Sequence, residues 1–146
     1  MPIGRNAAAA AVFAVAMGMV PALAATPADP VRVVYHLNEG NEQATAALRN
    51  IRNHLAADPT AKIVVVTHAA GINCLLDGAT DRNGNLYEPL VQELTARGIE
   101  FRLCNFTLQS RNIDPSKVIA EAKIVPSGVA EVSRLQAKDG FAYLRP

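Results

Sequence analysis

The chain has almost no excess charge. Its 14 Lys and Arg residues face 13 Asp and Glu. Arg5 is the only charged residue before Asp29, so the two signs balance once the N-terminal segment described below is removed. Nucleic acids and anionic membranes are held first by a surplus of positive charge, and neither is expected as a partner. Cysteine is scarce as well, with only Cys74 and Cys104. No C-x-x-C or H-x-x-x-H pair offers metal-ligand spacing. No G-x-S-x-G marks a serine nucleophile, and neither phosphate-binding glycine motif occurs. Asn38-Glu39-Gly40-Asn41 therefore reads as a plain turn, in which Glu39 would repel a phosphate. No internal repeat is visible.

The apolar run from Ala7 to Val20 falls short of the ~18 residues a membrane-spanning helix needs. Arg5 precedes it, Pro21 breaks it, and Ala22-Leu23-Ala24 supplies small residues in an A-x-A arrangement. This order of parts predicts a secretory signal peptide over residues 1–25. Residues 26–30 form a short leader, and 31–146 suit one domain with one core. The expected location is the periplasm or the exterior, with no membrane segment after cleavage.

What remains alternates between two periodicities. Val31 to Leu37 is dense in β-branched residues and reads as a buried strand. Ala44, Ala47, Leu48, Ile51 and Leu55 form the stripe of a helix packed on a sheet, stopped at Asp58-Pro59. Ile63 to Val66 is a second strand, and His68 to Gly78 a loop with one helical turn. Leu86, Leu90, Val91 and Leu94 mark a helix ending at Gly98, before a third strand from Ile99 to Cys104. Asp114 at the N-cap and Pro115 at the first helical position predict a helix there. A short strand at Lys123 to Pro126, a helix at Gly128 to Ala137 and a last strand at Phe141 to Leu144 complete the pattern. Strands joined by helical crossovers give an α/β fold: a single doubly wound domain, its five-stranded, mostly parallel sheet covered by helices on both faces.

Ligands of such sheets bind beyond the carboxyl ends of the strands. The residues placed there are His36, Asn38, Glu39 and Gly40; Thr67, His68 and Gly71; Cys104, Asn105 and Thr107; and Ser127 with Gly128. Cys104 is the candidate nucleophile. A thiol at a strand end can be ionised by backbone N–H groups and a nearby cation. His36 and His68 are candidates for that cation, with Asn105 in support. The competing reading of Cys104 is a small buried apolar residue. Cys74 is a candidate disulfide or resolving partner of Cys104, or a packing residue under the second loop. His54, near the helix face, is expected to carry no chemistry.

Several of these segments, taken in order, resemble the DsrE/DsrF-like family. They are Val33 to Leu37, Asn50 to Leu55, Ile63 to His68, Gly98 to Asn105, Val125 to Val129, and Leu135-Gln136 with Gly140 to Leu144. The resemblance implies a small α/β sheet fold that associates into trimers or hexamers. It also implies sulfur relay, as a persulfide on a cysteine after the third strand, a position that Cys104 matches. It assigns nothing to Cys74. Sulfur-relay members work in the reducing cytosol, whereas this chain carries an export signal and would need another donor and protection from oxidation.

The expectation is therefore a periplasmic sulfur-transfer or thiol-redox protein carrying sulfane sulfur on Cys104, with no cofactor and no metal, and with a sulfur donor or acceptor protein as partner. Two alternatives stay open. One is a non-enzymatic oligomeric small-ligand-binding module with structural cysteines. The other is a metal-binding protein using His36, His68 and Cys104.

Overall fold

The computed structural model describes Met1 and residues 29–146. The expected signal peptide and most of the leader lie outside the described residues. Five strands form one sheet: β1 (Arg32–Leu37), β2 (Lys62–Thr67), β3 (Glu100–Cys104), β4 (Ala122–Val125) and β5 (Ala142–Leu144). Every pairing is parallel, in the spatial order β4-β3-β2-β1-β5. Four α-helices connect them: α1 (Asn41–Ala57), α2 (Glu88–Ala96), α3 (Asn105–Ser110) and α4 (Gly128–Asp139). Among the described residues, no helix is long and apolar enough to cross a membrane.

The chain steps outward from β1 to β4, then α4 crosses back over the sheet and delivers β5 to the far side of β1. This reversal divides the helices unequally. Leu48, Ile51 and Leu55 of α1, Val91 and Leu94 of α2 and Leu108 of α3 pack with Val33, Ile63, Val65, Phe101 and Leu103 in the main core. The opposite face is thin. Val34, Val64 and Val66 meet only Val132, Leu135 and the half-buried Phe141 there. Each large apolar side chain taken from water stabilises the fold by about 1.5–3 kcal/mol, so most of the hydrophobic driving force belongs to the first face.

Two local expectations change. The loop after β2 holds a 3-10 helix over Ala69–Leu75, longer than one turn. After β3, the helix begins at once as α3, and Asp114-Pro115 opens only a 3-10 turn, Pro115–Lys117. Asp114 does cap, accepting the Ser116 N–H at 2.8 Å. The turn cannot propagate because the next residues are committed elsewhere. Val118 bridges Leu76, the Ile119 N–H bonds the Leu75 carbonyl at 3.0 Å, and the Ile119 side chain is buried in the main core.

Candidate functional site

Alternation along the strands decides which residues share a face. Val33, Tyr35 and Leu37 of β1 enter the main core, so Val34 and His36 face α4. On β3, Phe101 and Leu103 enter the main core, which turns Arg102 and Cys104 toward α4. His68 follows Thr67 on β2, and Tyr143 of β5 is in register with Val34. Cys104, His68, His36 and Tyr143 thus stand on four successive strands along the α4 face, near the carboxyl edge.

Three of them are linked. The Tyr143 hydroxyl and His36 Nδ1 are 2.7 Å apart, and His36 Nε2 and His68 Nε2 are also 2.7 Å apart. The two imidazoles meet edge to edge, with centroids 4.8 Å apart and planes inclined by 24°. At the shared contact one Nε2 must donate and the other accept, so only one proton fits between the rings. The chain of groups has two self-consistent proton arrangements, with Tyr143 donating to His36 in one and accepting from it in the other.

Both rings are held below the usual histidine value. Burial is the main cause for each, and for His36 the positive charges of His68 and Arg145 add to it. Neither therefore supplies a standing cation at neutral pH. A folded-state value below 6.5 means that the unfolded chain takes up protons first. The stability present above pH 6.5 is then lost as pH falls through the folded values. We expect the urea midpoint to drop between about pH 7.5 and about pH 5.5, and the drop to shrink in a His36→Gln, His68→Gln double variant. An unchanged slope in that variant would assign the drop to other groups.

Cys104 lies at the junction of two helix N-termini. It is the N-cap of α3, and the first residue of α4, Gly128, lies against it. A Cβ added at Gly128 would sit 3.0 Å from the Thr67 carbonyl oxygen, 3.1 Å from His68 Cβ and 3.2 Å from Cys104 Cβ. Only glycine lets the α4 backbone come this close to both residues without displacing them. Burial raises the pKa of the Cys104 thiol, but the hydrogen-bond donors around it outweigh burial and hold it below the ordinary value. They are the Gly128 N–H, the Thr107 hydroxyl, and the Thr107 and Phe106 N–H groups. For the neutral thiol these are loose contacts and not formal cap bonds. They gain strength when the sulfur is an anion.

Cys74 differs in every respect. It belongs to the main core, its thiol donates to the Gly71 carbonyl at 3.4 Å, and burial pushes its pKa up to about 12. Both cysteines are free, so the disulfide considered from sequence is not the arrangement seen here. Asn105 opens α3, but the donors around the sulfur come from Gly128, Thr107 and Phe106. Among the described residues, no three His, Cys, Asp or Glu side chains cluster as metal ligands, so His36, His68 and Cys104 are not brought together as a metal site.

An open cleft of ≈ 500 Å³ is lined by His68, Ala69, Ala70, Asn73, Thr107, Ser110 and Arg111; Cys104 is not itself in the lining and meets the cleft through Thr107. Thr107 joins the two regions. Its side chain borders the cleft, accepts the Ala69 N–H at 3.0 Å, and reaches the Cys104 sulfur. Ala69 holds a left-handed φ of 49°, an uncommon conformation for a residue with a Cβ. Arg111 Nη1 donates to Asn73 Oδ1 at 2.8 Å and to the Ala69 carbonyl at 3.4 Å. Arg111, Asn73 and Tyr143 had no signal in the sequence. Arg111 stands just past the helix that sequence patterning misplaced, and Tyr143 becomes a partner of His36 only through the return of β5 to β1.

The DsrE/DsrF-like family model matches residues 31–146, nearly the whole of the described chain. The chain belongs to the DsrE/DsrF-like family. Solved structures share the fold. The chain is 32% identical to the protein of unknown function MTH1491 from Methanobacterium thermoautotrophicum, with a TM-score of 0.71, over 80% of this chain and 99% of that one. The YchN protein of E. coli shares the fold at 16% identity and a TM-score of 0.65, again over 80% of this chain and 99% of that one. No curated protein matches. Within this DsrE/DsrF-like fold, the site just described occupies the carboxyl edge of β1, β2 and β3.

Proposed function

We propose that this DsrE/DsrF-like protein is a sulfur-transfer or thiol-redox protein of the periplasm or exterior, carrying sulfane sulfur as a persulfide on Cys104. The observation that carries the reading is the set of donors from two helix starts around a single thiol. An N–H cluster of this kind favours an anionic sulfur, and an anionic sulfur is both the nucleophile and the form of the loaded product. His68, mostly neutral, stands nearby as a proton acceptor. Phe106 and Val129, each next to a donor residue, are 61% and 59% exposed. Exposed apolar side chains flanking the thiol are consistent with the proposed trimer or hexamer and with docking of a donor or acceptor protein.

The test is to offer the mature chain a polysulfide and weigh it intact. One sulfur atom should add to the wild type and none to Cys104→Ser. No added mass on the wild type, or equal addition to the variant, removes the proposal. The Cys104→Ser chain should unfold within about 1 kcal/mol of the wild type, because the change is small and the site is lined with polar groups.

A further inference from the structure

We infer that Arg111 selects the sulfur donor: the cleft beside Cys104 is built for a small sulfane-sulfur oxyanion, of which thiosulfate is the simplest. This rests on the proposal that Cys104 accepts sulfur and names the class of molecule that delivers it.

A thiolate and a dianionic donor repel each other, and at contact distance that repulsion must be met by a cation. His68 also lines the cleft but is held mostly neutral. Arg111 is the one lining residue with a permanent positive charge. Among the described residues it has no carboxylate within ion-pair distance, whereas Arg52, Arg102, Arg134 and Arg145 each have one. Its two protein contacts both use Nη1 and both run to neutral acceptors, Asn73 Oδ1 and the Ala69 carbonyl. Asn73 thus fixes the guanidinium without neutralising it. Nε and Nη2 have no protein partner among the described residues, and this edge of the fork matches two oxygens of one oxyanion.

The step balances. The Cys104 thiolate attacks the outer sulfur of thiosulfate, and a bond forms between Sγ and that sulfur. The bond between the outer sulfur and the sulfonyl sulfur breaks, and its electron pair leaves on sulfite. A thiolate and a dianion become a persulfide anion and a sulfite dianion, with no proton and no external redox partner needed. The Gly128, Thr107 and Phe106 donors hold the charge on the persulfide, and Arg111 holds the charge on the leaving oxyanion.

The experiment loads the mature protein with thiosulfate or with polysulfide, in separate arms, and follows persulfide on Cys104 by intact mass over time. In Arg111→Gln the ratio of the thiosulfate rate to the polysulfide rate should fall roughly 10- to 100-fold, the loss of a charge-assisted contact. Arg111→Lys should recover part of it. Loss of the forked geometry, with the charge kept, predicts an intermediate ratio. Wild-type loading by polysulfide but not by thiosulfate overturns this inference and leaves the sulfur-carrier reading standing. An unchanged ratio in Arg111→Gln also overturns it. Failure of both donors to load the wild type overturns both.

Discussion

At about pH 7.5 iodoacetamide alkylates Cys104 of the native protein at least ~30-fold faster than Cys74. This result is expected although the two residues are almost equally covered, at 5% and 3% exposure. Cys74 lies deeper, inside the main core, and ionisation separates the two further. The Cys74 thiol is pushed up to about 12, and the Cys104 thiol is held below the ordinary 9.0. The gap gives Cys104 a thiolate fraction at least about a thousand times larger. A low-pKa thiolate is also a weaker nucleophile, which returns a factor of roughly 30 of that advantage. Timed labelling with peptide mapping measures the ratio directly. The same labelling, repeated across pH, should give Cys104 a midpoint below 9.0. Equal labelling of the two, or Cys74 first, would mean that the donors from α3 and α4 do not act on the sulfur.

Gly71→Ala is expected to cost about 3 kcal/mol or more. A Cβ at this position would lie 2.2 Å from the Leu37 carbonyl oxygen and 2.4 Å from its carbon, both of them backbone atoms that cannot swing aside. Gly71 is buried inside the 3-10 helix, and its φ is not in the left-handed region. The demand is for space alone. The 3-10 helix must rest directly on the end of β1, and relieving the clash would lift the segment that carries Ala69 and Asn73. Urea unfolding should show a lower midpoint with an unchanged slope. Gly40→Ala is the control, because nothing lies within 4 Å of its added Cβ, and it should cost less than about 1 kcal/mol. Similar losses from the two substitutions would contradict the close approach.

The strands and the long helix were legible in the sequence for a plain reason. Ile63 to Val66 is buried on both faces and reads as an unbroken apolar run, and the α1 stripe of Ala44, Ala47, Leu48, Ile51 and Leu55 is buried throughout. Such segments carry their environment in their own pattern. Cys104, His36 and His68 were findable because strand ends gather at one edge. Helix α3 was not, because six residues after a strand leave too little periodicity to detect, and the Asp114-Pro115 pair advertised a stronger start nearby. The space demand at Gly71 and Gly128 comes from atoms at the ends of strands distant in sequence, so nothing local records it. The pairing of Arg111 with Asn73 joins two loops and is equally silent.

The order in which the chain is made has a consequence for its chemistry. Cys104 precedes by more than twenty residues one of the donors around it, since Gly128 begins α4. A chain still growing, or cut short before α4, holds the sulfur but lacks the amide that crosses over to it from behind. Until that final helix docks, Cys104 has only the Thr107 and Phe106 donors of α3. The full set of donors is thereby tied to completion, because the foremost of the hydrogen bonds that lower the thiol's pKa arrives only with α4.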